Sequence, residues 1–322
     1  MRRLTAFIMT SLLFIVACHP QVPERTGTVV SPLLPEGRVA LTDQGARILR
    51  HDCSSDVRRP RAQSIVDIAA SQWRRFGYGV TDRTGQWTHA SLASEVIAAA
   101  VPGAPTIPAS EAHIRTERDP IGHSAIAAYW STVDYTSIQE ARPDPESFLA
   151  RHVRQSETQN SSGQAWSAAF VSWVLCEAGA EGYNFPRRAN HSEYISALRS
   201  NTNGEAWYHV RSASEVGPIN PGDLICYART AVLDSQFAAG TYLGHCDIVV
   251  HVDFDRKNVL AIGGNVRNTV MLSIFGLQTA HAGALLSDLA NPDEGDWTVV
   301  LNLLEPGTNA LLANSFMSTP GF

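Results

Sequence analysis

Three short segments hold side chains that could act together. Trp166-Ser167-Ala168-Ala169-Phe170-Val171-Ser172-Trp173-Val174 puts a hydroxyl in the opening turn of an apolar stretch. Gly244-His245-Cys246-Asp247-Ile248-Val249-Val250 starts a strand-like run on an imidazole. Ile262-Gly263-Gly264-Asn265-Val266 ends another on a carboxamide. A nucleophile on a helix, a base on a strand and a polar group to fix the base's tautomer are the parts of acyl-transfer chemistry. The unpaired N–H groups and dipole of a helix N-terminus stabilise negative charge beside Ser167 and supply an oxyanion site. A serine hydroxyl titrates far above neutral pH, so it needs a hydrogen-bonded base. Each residue also has a plainer role. Ser167 suits a first helical turn, His245 a core edge, and Asn265 a turn after two glycines.

Strand alternation puts His245, Asp247 and Val249 on one face and Cys246, Ile248 and Val250 on the other. Cys246 therefore points away from its neighbour, and Cys176 lies deep in the helix that Ser167 opens. Neither replaces Ser167 as nucleophile. His191, in Asn190-His191-Ser192-Glu193-Tyr194, precedes a short helix and is a candidate to line the cleft. Trp166, His191 and Asp247 are the candidate substrate contacts. Trp166 shares a helix face with Trp173, a spacing that suits core packing as well. No glycine-rich phosphate loop, paired-histidine zinc motif or G-x-S-x-G elbow occurs, so no metal and no cofactor is expected.

The elements that must position these groups divide in two. Apolar residues at helical spacing predict a helix over 61–76, ended by Gly77-Tyr78-Gly79. A second is expected over 87–101, closed by Pro102-Gly103, followed by an irregular stretch over 105–120. Short helices are expected over 121–129 and 145–155. Ser161-Ser162-Gly163-Gln164 offers a cap for a strongly apolar helix over 165–179, and 194–198 belongs to another. From Pro221 the period turns strand-like, through Gly222-Asp223-Leu224-Ile225-Cys226-Tyr227 and the runs holding His245 and Asn265. Two more follow at 269–275 and 297–304, with a turn at 253–258. Helices first and antiparallel strands afterwards imply an α+β domain, with N-terminal helices packed before a small antiparallel sheet.

Residues 1–17 read as a targeting segment. Arg2 and Arg3 precede an apolar stretch over 4–16, too short to span a bilayer. Ile15-Val16-Ala17-Cys18 has the form of a lipobox, which predicts lipidation at Cys18. His19 follows, with no aspartate to signal inner-membrane retention. The expected location is the cell envelope, lipid-anchored in the outer membrane and facing the periplasm. Residues 18–45 then read as a tether, 46–305 as a single α+β domain with its core over 146–305, and 306–322 as a tail. Without Arg2 and Arg3, the 25 Lys and Arg fall to 23 against 31 Asp and Glu, a formal charge of −8. Phosphate binding needs a basic surface, so nucleic acid is excluded as a partner. Export permits disulfides. Cys226 and Cys246 lie on runs that look like adjacent strands and are a candidate pair. Cys176 reads as a small buried hydrophobe, and Cys53 is left open to any partner or none.

Four motifs in order carry a family resemblance: Ser167-Ala168-Ala169-Phe170-Val171, Pro221-Gly222-Asp223-Leu224, His245-Cys246-Asp247-Ile248-Val249 and Ile262-Gly263-Gly264-Asn265. They resemble the NlpC and CHAP families of papain-like peptidases and amidases, which act on cell-wall peptides. More closely, the chain from about Ser64 to about Leu304 resembles the bacterial family of domain of unknown function 2272. The resemblance implies a papain-like fold and a peptidoglycan peptide hydrolase or amidase using Ser167 as nucleophile, His245 as base and Asn265 as orienter. Ser167 stands where those peptidases carry cysteine. That departure leaves serine catalysis or a retired site, and so a non-catalytic module that binds peptidoglycan or an envelope protein is the alternative.

Overall fold

The computed structural model describes residues 38–42, 45–50, 52–53, 60–88, 96–97, 107, 113–134, 165–201, 204–232, 234–280, 283–286 and 296–304. The lipobox cysteine, the segment over 145–155 and the tail lie outside these residues. Strands β1 (Val39–Thr42) and β2 (Gly45–Ile48) pair as a hairpin. β1 begins inside the stretch read as tether.

Helix α1 (Arg61–Arg75) buries Ile65, Val66, Ala69, Ala70 and Trp73, the apolar stripe its sequence spacing predicts. It stops where the chain needs left-handed backbone, at Gly77 (φ 88°) and Tyr78 (φ 64°). A Cβ on Gly77 would sit 1.8 Å from the carbonyl oxygen of His113, so only glycine fits. Strand β3 (Gly79–Thr81) follows. β4 (Trp87–Thr88) then stands where the start of a second helix was expected. Helix α2 (Pro120–Trp130) opens on a proline at its first position, where no N–H is needed. Helix α3 (Ser167–Glu177) is buried at every position from Ser167 to Cys176. Helix α4 (His191–Arg199) starts three residues earlier than its apolar pattern suggested.

The rest is mostly sheet: β5 (Tyr208–Ser212), β6 (Leu224–Ala228), β7 (Gly244–Asp253), β8 (Asn258–Val266), β9 (Thr269–Ala280), β10 (Gly283–Leu286) and β11 (Trp297–Leu303). A short helix, α5 (Asp234–Ala239), interrupts the path from β6 to β7. Strand order is β4-β3-β9-β8-β7-β6-β11-β5, with β10 beside β9. Every pair is antiparallel except β3 with β9. The fold is mixed α+β with an open sheet, larger than the small one expected. The additions are β3 and β4, too short to show a period, β5, which is half-exposed at the edge, and β10.

The sheet has two differently filled faces. Leu224, Cys226, Cys246, Ile248, Leu260, Ile262 and Leu301 join the helices in the main core. Ile225, Val249, Val259, Ala261 and Val300 form a second cluster with Leu277 and Ile219. Cys226 and Cys246 are direct register partners on β6 and β7 and form a disulfide. The second disulfide joins Cys53 to Cys176. Cys176 is therefore buried, as expected, but bridged rather than free. Among the described residues no helix is long and apolar enough to cross a membrane.

Candidate functional site

Ser167 is the first residue of α3, so the backbone N–H groups around it have no intrahelical carbonyl to bond. The helix is docked there by Trp166, whose indole N–H donates to Glu117 Oε2 at 3.0 Å. Its ring lies among Phe76 and Tyr129, 6.1 and 5.9 Å between centroids. Trp166 is thus wedged into the core and presents no open platform. On the other side, a Cβ on Gly264 would lie 2.5 Å from Phe170 Cβ and 2.9 Å from Trp166 Cζ3. The bare backbone of β8 therefore sets how closely the sheet approaches the head of α3.

The imidazole that meets Ser167 is that of His191. Its Nε2 is 2.6 Å from Ser167 Oγ, and its Nδ1 is 2.6 Å from the phenol oxygen of Tyr194. The pair His191 and Tyr194 sits at i and i+3 on α4, one face of one turn. Burial pushes the pKa of His191 well below its ordinary 6.5, and its electrostatic interactions with His245 and Arg229 push the same way. The ring is accordingly neutral at pH 7, with one nitrogen donating and the other accepting. Burial likewise raises the Tyr194 phenol well above 10, so it stays protonated.

His245 belongs to a second pair. Its Nε2 lies 3.0 Å from Asp247 Oδ1, while Nδ1 is buried with no hydrogen-bond partner among the described residues. The alternation of β7 explains the split. Cys246 and Ile248 alternate with His245 and Asp247, which share a face with Tyr227 and Ile225, their register partners on β6, and stand beside His191 and Tyr194 of α4. A carboxylate partner holds the proton on Nε2, which leaves Nδ1 as the acceptor. The two histidine rings are 5.3 Å apart between centroids. Gly263 closes the far side, since a Cβ there would lie 1.8 Å from Asp247 Oδ1 and 2.9 Å from His245 Nε2.

The residues picked from sequence therefore converge, in a different pairing. Ser167 meets His191 rather than His245. Asn265 was expected to orient His245, but that bond is made by Asp247. Asn265 itself sits half-buried at φ 60° beside the irregular register of β8. Two members had not been singled out. Tyr194 carried a legible signal, its i, i+3 spacing from His191, whereas Glu117 reaches Trp166 across 49 positions and carried none. The cluster is closed: Ser167 is 3 % exposed, His191 4 %, and His245 and Asp247 1 % each. An open groove lined by Leu198, Arg199, Ala206, Tyr208 and Leu304 contains none of them. Among the described residues no group of three histidine, cysteine or acidic side chains is arranged to hold a metal ion.

A family model, described as "uncharacterized protein conserved in bacteria (DUF2272)", matches residues 117–303. The chain belongs to this family. The match begins at Glu117, the acceptor for Trp166, and takes in Ser167, His191, Tyr194, His245, Asp247 and Asn265. It is narrower than the stretch from about 64 read off the sequence, leaving α1 outside. No curated protein and no solved structure matches the chain.

Proposed function

We propose that this family member is a lipid-anchored envelope hydrolase or amidase, built on a papain-like plan, that cleaves an acyl bond in cell-wall peptides. Ser167 is its nucleophile and His191 the base. The carrying observation is the 2.6 Å approach of Ser167 Oγ to His191 Nε2 at the head of a helix. In the productive tautomer Nδ1–H donates to the Tyr194 oxygen and Nε2 accepts the serine proton as Oγ attacks the carbonyl carbon. The carbonyl oxygen gains negative charge beside the unpaired N–H groups of the first turn of α3. His191 then returns its proton to the leaving group, and water releases the acyl chain from Ser167.

The order of motifs, the export signal and a hydrogen-bonded serine–histidine pair support this reading. The alternative is a non-catalytic module that holds a wall or envelope-protein ligand, and the closure of the cluster to solvent favours it. A fluorophosphonate probe separates the two. The hydrolase reading expects covalent phosphonylation at Ser167, abolished by Ser167→Ala and reduced at least 100-fold by His191→Ala, and muropeptide cleavage that follows the same order. Folded wild-type protein that neither takes the probe nor cleaves muropeptides would leave the binding module.

A further inference from the structure

We propose that residues 234–243, on the excursion between β6 and β7, are a gate that must move to admit substrate to Ser167 and His191. This rests on reading Ser167 as the reacting group. Among the described residues Ser167 and His191 are almost wholly buried, yet the reaction needs a peptide carbonyl at Ser167 Oγ. Helix α3 is a poor candidate to yield. It is buried from Ser167 to Cys176, and Cys176 is bonded to Cys53. The excursion is held differently. Ser235, Gln236, Ala238 and Ala239 are exposed, while Tyr242 joins the main core, Phe237 packs against it, and the segment bonds to α4. Ser192 Oγ donates to the Gly240 carbonyl at 2.9 Å, and Ser196 Oγ to the Ala238 carbonyl at 2.9 Å. The Arg199 guanidinium lies 4.5 Å from the Phe237 ring centroid, and that ring stacks on Tyr242 at 5.5 Å.

These contacts bracket both histidines. Ser192 directly follows His191. Tyr242 packs beside Gly244, the residue before His245, where a Cβ would lie 3.1 Å from its ring. Arg229, at the base of the excursion, lies near enough for its charge to act on His191. Gly240 is the tight point. Its φ is 67°, and a Cβ would come within 2.8 Å of the Ser192 carbonyl oxygen. A side chain there would lift the segment from α4 without touching α3 or the sheet core.

Access can be read without catalysis. In Ser167→Cys protein, alkylation by iodoacetamide is followed at residue 167 by peptide mass spectrometry under non-reducing conditions. Adding Gly240→Ala or Phe237→Ala should raise that rate tenfold or more. Ser172→Cys, a buried thiol on the same helix, is the control and should not respond. Rates at residue 167 unchanged by both gate substitutions would overturn the proposal. So would a parallel rise at 167 and 172, which signals general loosening. Because no turnover is involved, a gate can be upheld while the fluorophosphonate test rejects the hydrolase, and the reverse.

Discussion

Gly263 fixes how near β8 stands to the His245–Asp247 pair. A methyl group there would have to displace the carboxylate that holds His245 Nε2, and the crowding comes from a buried charged atom at 1.8 Å rather than a pliable chain end. Gly263→Ala is expected to cost about 1–3 kcal/mol, the usual range for overpacking, seen as a lower urea midpoint with an unchanged slope. His191 makes a pH prediction. Its folded pKa lies below the 6.5 of an ordinary histidine, so below that pH the unfolded chain binds a proton that the folded one refuses. The stability tied to neutral His191 is fully present above about 6.5 and lost as pH falls. The slope approaches ~1.4 kcal/mol per pH unit at most. Urea titrations of wild type and His191→Gln between pH 5 and 8 should differ by that acid-side slope. Superimposable curves would mean that His191 is not held neutral by the fold.

At the scale of elements, period and turn chemistry made the central helix and strands β6 to β9 and β11 legible. Long apolar alternation marks β7 and β8, and the burial of α3 is written in its composition. The pairing inside the site was not legible, because it depends on how α4 docks against the head of α3 and the start of β7. His245 looked like the partner of Ser167 because it begins a strand. Yet His245 bonds Asp247, two positions on along β7, and its ring meets that of His191 rather than Ser167. The vacancy is filled by a residue of α4, and no local pattern links positions 167 and 191. The Pro-Gly-Asp turn had a structural purpose instead. Asp223 accepts from the N–H of Leu303 and of Asn220 and from Asn302 Nδ2, clamping the start of β6 to the end of β11. Burial outweighs these donors and raises its pKa to about 7. The sign is opposite to that of His191. The folded state keeps the proton between about 3.8 and 7, so this contribution is full at low pH and lost as pH rises to about 7. Asp223→Asn should remove that slope. It should also cost about 1–3 kcal/mol, since its amide would face donors where the carboxylate accepts.

On the scale of the whole molecule, the head of α3 carries the candidate site and its tail carries the anchorage. Glu177, at the last turn, accepts from Arg38 at 2.7 Å and from Arg50 at 2.5 Å, which ties the β1–β2 hairpin to the helix end. Arg38 is buried, so losing Glu177 would leave a desolvated cation without its carboxylate partner. The Cys53–Cys176 disulfide fastens the same junction, joining positions 123 apart, whereas Cys226–Cys246 joins two neighbouring strands 20 apart. A cross-link that closes a longer loop removes more freedom from the unfolded chain. By that account the first is worth roughly 5 kcal/mol and the second roughly 3. Cys226 and Cys246 also keep their ladder when the sulfurs part, because six further strands flank β6 and β7 in the sheet order. The β1–β2 hairpin lies in a separate two-stranded sheet and has no such support. Cys53→Ser with Cys176→Ser should therefore lower the thermal midpoint more than Cys226→Ser with Cys246→Ser. It should also speed proteolysis between residues 38 and 60 ahead of the sheet. A larger loss from the Cys226 pair, with the hairpin still protected, would show that the hairpin is held by its arginines and Glu177 alone.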